Sequence, residues 1–254
     1  MKDIFRLLDR VKYFGLRKVY FMGKNFLSEI SVFFYDLGIL KPQLQQTLVR
    51  RKISRILVEK YFGYWGHGVD KEQFFLGFGL IHYALVRNVK PKHILCVGSK
   101  QGFIPAILAL ACKDNRMGHV DFVDAGFDEN ERVHHWGGVG FWKKNNTREH
   151  FGKIGISKQI TSFIMTTAEF AKKYPKRKYD YIYLDGNHSY LGIKKDFKYF
   201  WPNLSKGGFM LLHDISERGK LSKGIYGTGK FWKELKSQSK ISFPLSSGLG
   251  IVQK

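Results

Sequence analysis

Two short stretches hold the residue types that move protons and bind cations. "YDYIYLDGNHSY", residues 179–190, is an apolar run that stops on Asp185, Gly186, Asn187 and His188, and "GGFMLLHD" stops on His213 and Asp214. Asp, Gly and Asn are also ordinary punctuation after a strand. Two polar pairs closing two consecutive apolar strands point past punctuation, to a ligand. If those strands are neighbours, the four side chains converge at one edge of a pocket. Two carboxylates with a histidine offer oxygen and nitrogen ligands to a divalent cation. A further histidine, titrating near neutral pH, can take a proton from an acceptor hydroxyl.

A second constellation joins glycines to one carboxylate. "CVGSKQGF" ends an apolar run on Gly98 and places Gly102 after it with three residues between. Glycines there let the backbone turn tightly and approach a ligand just ahead of a helix N-terminus. The spacing is not G-x-G-x-x-G, because Lys100 and Phe103 interrupt it, which disfavours a nicotinamide dinucleotide. "HVDFVDA" carries Asp124, 26 residues after Gly98. A carboxylate at that place accepts hydrogen bonds from the two hydroxyls of a ribose. Together the two features predict a nucleoside-containing cofactor.

The elements that must position these residues are legible from periodicity. From about residue 70, apolar strand-like runs ("HILCVG", "HVDFVDA", "ITSFIMT", "YDYIYLDG", "GGFMLLHD") alternate with helical patterns ("KEQFFLGFGLIHYALVRNV", "FIPAILALACKD", "TAEFAKKY", "LGIKKDFKYFWPNL", "GKFWKELKSQ"). Such alternation predicts parallel βαβ units in an open sheet with helices on both faces. The end of the chain, "ISFPLSSGLGIVQK", reads as two strands joined by a glycine turn. The expected fold is therefore α/β, with a seven-stranded mixed sheet whose last strand is antiparallel. Residues 71–254 form this domain, and residues 1–70 form a basic, helical N-terminal extension.

In the extension, "QLQQTLVRRKISRILVEKYFGYW" reads as one long helix closed by Gly63, Gly66 and Gly68, and nearer the start Ile4, Leu7, Leu8 and Val11 fall at helical spacing among Lys2, Arg6 and Arg10. Two uses fit such a helix. It can lie on an anionic membrane surface, or it can pack on the main domain or a second copy of the chain, giving a homo-oligomer. The formal net charge of +22 favours anionic partners in general. Because the basic residues are spread along the whole chain, nucleic acid is a weaker expectation than it would be for one tight Arg-rich stripe. No apolar run reaches the roughly 18 residues of a membrane-spanning helix, and no signal-peptide core opens the chain. The expected location is the cytoplasm, with the inner membrane surface as a peripheral site. Cys96 and Cys112 sit inside apolar segments without metal spacing and are expected as free, buried hydrophobes.

From residue 90 to 254 this order of elements resembles the class I S-adenosylmethionine-dependent methyltransferases of the methyltransferase-24 type, which include macrocin-like sugar O-methyltransferases. The resemblance is most specific over residues 179–214, where D-G-x-H-S-Y, a downstream aspartate, G-G and a strand ending H-D recur. It implies a Rossmann-like sheet and S-adenosylmethionine as cofactor. Gly98, Ser99 and Gly102 would line the methionine part of the cofactor, Asp124 its ribose, and Thr167 and Ala168 its adenine, with Asp185 close by. It also implies a divalent cation such as Mg2+ on Asp185, His213 and Asp214, with His188 as general base and Asp185 as its catalytic neighbour. The chain departs from the family where the glycine loop reads V-G-S-K-Q-G, without the usual leading acid. It departs again at His213, where several metal-dependent relatives carry an acid.

The expected reaction is methylation of a hydroxyl on a small molecule or glycan. Two other readings use the same chain. One is a nucleic-acid methyltransferase with the basic surface as its footprint, although no Asn/Asp-Pro-Pro-Tyr motif is present. The other is a non-catalytic, membrane-associated scaffold with a methyltransferase fold. The long segment before "ITSFIMT", holding His134, His135, Trp136 and Trp142, is expected to read the acceptor. A zinc set of His134, His135 and His150 is a minor alternative. "YGTGKFW" is expected to pack, with Phe231 and Trp232 in the core, rather than to serve as a lid.

Overall fold

A seven-stranded sheet organises the computed structural model, which describes residues 50–61, 66–128, 140–216, 226–237 and 239–254. The strands are β1 (His93–Val97), β2 (His119–Asp124), β3 (Ile160–Ile164), β4 (Tyr179–Leu184), β5 (Leu204–His213), β6 (Lys240–Phe243) and β7 (Leu249–Gln253), in the order β3-β2-β1-β4-β5-β7-β6. The first five are parallel, while β7 runs antiparallel to both β5 and β6. From β1 the chain passes to β2 and β3 on one side, then returns to β4 on the other. The sheet therefore has its switch point between β1 and β4, where open α/β sheets bind ligands beyond the strand ends.

The central strands are apolar almost without a break because helices cover both faces of the sheet. With a side-chain period of two, Ile94 and Cys96 of β1 join Tyr181 and Tyr183 of β4 in one core. Leu95 and Val97 join Ile182 and Leu184 in the other. The first core is covered by α1 (Arg51–Lys60), α2 (Phe78–Val89) and α3 (Phe103–Asn115). The second is covered by α6 (Thr167–Lys173), α7 (Tyr190–Phe200) and α8 (Thr228–Glu234), the short helices α4 (Phe141–Lys144) and α5 (Thr147–Gly152) lying between β2 and β3. Both cysteines are free and buried.

Local chemistry sets the helix ends that matter. Residues 103–112 of α3 are all buried, so this helix is apolar on every side, and Pro105 sits in its first turn, where the missing N–H costs nothing. Thr166 and Glu169 close a reciprocal capping box at the start of α6. Ser189 accepts from the Gly192 amide to start α7 directly after the D-G-N-H turn. α2 begins only at Phe78, later than the apolar pattern suggests, because Asp70 and Phe75 pair across a small turn with Phe74 at positive φ.

Leu57, Val58 and Tyr61, in and just after α1, are buried in the first core, and the Tyr61 hydroxyl donates to the His150 carbonyl at 2.6 Å. Residues 51–61 thus pack as part of the same body as the sheet. The earlier helices expected at a membrane or subunit surface lie outside the described residues. Among the described residues, no helix is long and apolar enough to cross a membrane. Phe231 and Trp232 are buried, as expected of the packed reading of their segment.

Candidate active site

The end of β1 is tied to the ends of β4 and β2 before any side chain is considered. The Asp185 amide donates to the Val97 carbonyl at 2.8 Å, and the Gly98 amide to the Val123 carbonyl at 2.8 Å. Gly98 has φ +72°, and a Cβ placed on it would lie 2.2 Å from the Asp185 carbonyl oxygen. Only glycine allows this crossing. The following loop is held by Asp124, whose two oxygens accept from the Ser99 amide at 3.1 Å and the Gly126 amide at 2.8 Å. Burial pushes the Asp124 carboxyl up, against the pull of those two amides.

Asp185, His188, His213 and Asp214 do converge. The His213 Nδ1 lies 3.0 Å from Asp185 Oδ1 and 3.5 Å from Asp214 Oδ2, while its Nε2 lies 3.0 Å from the Gly66 carbonyl. A carbonyl and a carboxylate only accept, so both ring nitrogens carry protons and His213 is an imidazolium. Burial opposes that charge, but Asp185 and Asp214 outweigh it and push the imidazole well above its ordinary range. The Tyr183 hydroxyl donates to the other Asp185 oxygen at 3.1 Å. Asp185 is thus gripped at both oxygens.

His188 faces the remaining carboxylate. Its Nδ1 is paired with Asp214 Oδ2, and its Nε2 lies 3.8 Å from Asp185 Oδ1. Burial disfavours a charged His188, yet Asp214 and then Asp185 more than offset this and raise it above the ordinary histidine value. Burial likewise disfavours the Asp214 carboxylate, but His213 and His188 hold it well below the usual carboxylate range. Asp214 adopts φ +59°, a left-handed conformation uncommon for a non-glycine residue. Strain of that kind is retained where the surroundings over-determine it, and here two imidazoles do so.

The profile of the methyltransferase-24 family, described as a methyltransferase domain, matches residues 95–215. Over those residues the chain is similar to a methyltransferase domain. Similar solved structures include an O-methyltransferase of Bacillus cereus in complex with SAH, 14% identical, covering 87% of this chain and 96% of that one at a TM-score of 0.52. The O-methyltransferase TomG of Streptomyces achromogenes, in complex with SAM, is 13% identical over 89% of this chain and 96% of its own, with a TM-score of 0.53. The SAH-bound Podospora anserina methyltransferase PaMTH1 is 16% identical over 85% and 98% respectively, with a TM-score of 0.54. At such identities the likeness is one of fold. Among curated sequences, the uncharacterized protein y4gI of Sinorhizobium fredii is 33% identical over 76 residues, and the match spans 8% of that protein's length.

Within the matched segment Gly98, Ser99, Gly102 and Asp124 lie together where β1 and β2 end, and Asp185 borders them. Thr167 sits further along, its hydroxyl donating to Asp196 Oδ1 at 2.7 Å. Burial pushes the Asp196 carboxyl up to about 6 against that hydrogen bond. Ala168 lines a groove on the outer side of α6 and α7, with Ala171, Lys172, Lys198 and Tyr199. Of the implied metal ligands, Asp185 and Asp214 converge with His188: one donor atom from each lies within 4.8 Å of the others. His213 has both nitrogens committed elsewhere.

The segment expected to read the acceptor does other work where it is described. Trp142 is buried, its Nε1 donates to the Ser99 carbonyl at 3.3 Å, and its ring stacks on Phe151. His150 Nε2 is 3.0 Å from the Gln101 carbonyl. Both side chains buttress the glycine loop from below. His134, His135 and Trp136 lie outside the described residues. Sequence reasoning missed Tyr183, although it shares a strand face with Asp185 by period two. It also missed Gly66, which looked like a helix terminator, and Tyr226, whose ring stands edge-on to His188 with centroids 5.8 Å apart.

Proposed function

We propose that this protein is an S-adenosylmethionine-dependent O-methyltransferase acting on a hydroxyl of a small molecule or glycan. The carrying observation is the His188–Asp214 pair beside Asp185, at the ends of two adjacent strands and one strand from the Gly98 turn. When bound, the cofactor supplies an electrophilic methyl on a sulfonium. The chain's own residues then have three tasks.

The first is to hold the cofactor. The Gly98–Gly102 loop offers close backbone approach, and Asp124 keeps lone pairs for a ribose, since each carboxylate oxygen can accept more than the single amide it now binds. The second is to take the acceptor proton. Asp214 fixes the His188 ring through Nδ1, which leaves Nε2 as the atom that receives the hydroxyl proton, and the carboxylate stabilises the imidazolium that forms. The third is to fix the acceptor against Asp185, whose orientation is set by Tyr183 and His213. Alignment of this kind supplies much of the rate in group transfer.

The donor chemistry also fits a divalent cation. Asp185, His188 and Asp214 would hold it, and it would orient and acidify an acceptor hydroxyl. His188 would then ligate as the neutral ring.

The test is a methyl-transfer assay over sugar, phenolic and RNA acceptors, with and without Mg2+, beside calorimetry with S-adenosylmethionine. Transfer to a sugar or phenolic hydroxyl, lost in His188→Ala with cofactor binding retained, supports the reading. No cofactor binding by the wild-type protein overturns it.

A further inference from the structure

We propose that Gly66 and His67, upstream of the family match at residues 95–215, are positioning residues that clamp His213 and through it Asp185. The proposal rests on the methyltransferase reading for its kinetic consequence, but not for its geometry.

Gly66 supplies the acceptor for His213 Nε2 at 3.0 Å, across 147 residues of sequence. Its φ is +73°, and a Cβ there would lie 2.6 Å from the Ser247 hydroxyl and 2.9 Å from His213 Cε1. The Ser247 amide approaches the same Gly66 carbonyl at 3.4 Å. The carbonyl is thus seated between the β6–β7 turn and the imidazole, where no side chain fits. His67 comes next. Its ring lies on that of His213 with centroids 4.4 Å apart and planes 32° apart, and Phe103 backs it at 5.3 Å. The Phe78 amide at the start of α2 donates to the His67 carbonyl at 2.8 Å and anchors the pair to the core.

His67 is 7% exposed, and its Nδ1 has no hydrogen-bond partner among the described residues. Burial first, and the His213 charge second, push its imidazole well below the ordinary histidine range. It lies over a ring whose two nitrogens both donate, an arrangement that favours the cation. No hydrogen bond at Nδ1 fixes this ring, so its place is set by packing against His213 and Phe103. With Nε2 held by Gly66 and one face covered by His67, His213 can neither flip nor tilt. Its Nδ1–H therefore presents one fixed direction to Asp185.

The test uses the full chain carrying His67→Ala, His67→Phe or Gly66→Ala. In ligand-free protein, the His213 Nε2–H gives a slowly exchanging downfield proton signal, identified by its loss in His213→Gln. The expected result is that His67→Ala weakens or abolishes that signal and lowers kcat by roughly tenfold to a hundredfold, the scale of a misplaced reacting group. The S-adenosylmethionine Kd should stay within about twofold, because the cofactor contacts are untouched. His67→Phe, which keeps a flat ring over His213, should restore most of kcat. The clamp is overturned if His67→Ala keeps both the signal and kcat. It is equally overturned if His67→Phe is as poor as His67→Ala, or if kcat falls only in step with cofactor binding and folded fraction. Should Gly66→Ala fail to fold, the His67 variants decide. If the wild-type protein transfers no methyl group to any acceptor, the proposed function fails while the proton signal still tests the clamp.

Discussion

His188 rests its Nδ1 on the Asp214 carboxylate while its Nε2 stays 3.8 Å from Asp185. In the proposed reaction this arrangement gives the two carboxylates separate roles, Asp214 holding the base and Asp185 facing the acceptor. His213 lies between the two carboxylates, while His188 Nδ1 pairs with Asp214 and Tyr183 donates to Asp185. Removing the base should therefore cost more than removing its support. Positioned general bases contribute about 10²- to 10⁴-fold, so His188→Ala should lower kcat by that amount. Asp214→Asn should lower it less, with the S-adenosylmethionine Kd nearly unchanged in both. Initial rates at saturating acceptor, with calorimetry for the cofactor, check this.

The pH dependence follows from the direction of the His188 shift. In the proposed reaction the neutral ring is the base, and Asp214 raises the imidazole above its ordinary value against the pull of burial. Transfer by chelator-treated protein should therefore fall as pH drops through a value above about 6.5, the unperturbed histidine value. In Asp214→Asn the main stabiliser of the charged ring is gone, and the acid limb should move to lower pH. A limb that stays in place would assign it to another group.

Gly98→Ala tests the crossing of β1 and β4. The added Cβ would meet the Asp185 carbonyl oxygen at 2.2 Å, and the residue already sits at φ +72°. Backbone must move where the Gly98 loop crosses the Asp185–Gly186 turn. A left-handed position alone costs about 1 kcal/mol or more for alanine, and the clash adds to it. Urea denaturation should show a loss of roughly 2 kcal/mol or more, a size tied to strain at special backbone positions. Cofactor affinity should fall with it.

The parts of this site that the sequence makes legible are those whose signals are local. An apolar run stopping on Asp185 and His188, and another stopping on His213 and Asp214, mark two strand ends, and their adjacency follows from βαβ order. The hydrogen bond from His213 to Gly66 spans 147 residues, and no periodicity reports a pairing of that kind. Gly66 instead carries the ordinary signal of a helix end. Trp142 misled for a related reason. An aromatic residue among glycines and lysines looks exposed, yet the glycine loop above it leaves a space that only a buried ring can fill. The start of α2 was obscured by an apolar pattern running through Phe74 and Phe75, which the backbone breaks with a turn.

Trp142 supplies the last prediction, because it separates support of the loop from recognition of the acceptor. Its indole is buried against Phe122 and Phe151 and donates to the Ser99 carbonyl. Truncating a buried tryptophan typically costs about 3–5 kcal/mol. Trp142→Ala should therefore lower stability on that scale. It should also weaken S-adenosylmethionine binding, since Ser99 and Gly102 lose the surface they rest on. Trp142→Phe keeps the ring stack but not the donor to Ser99, a hydrogen bond worth about 1 kcal/mol, so it should recover most of the stability. A residue that reads the acceptor would behave differently, leaving stability and cofactor affinity intact while raising the acceptor KM. Thermal unfolding, calorimetry and acceptor kinetics on the two variants distinguish these patterns, and the buried ring under the glycine loop predicts the first.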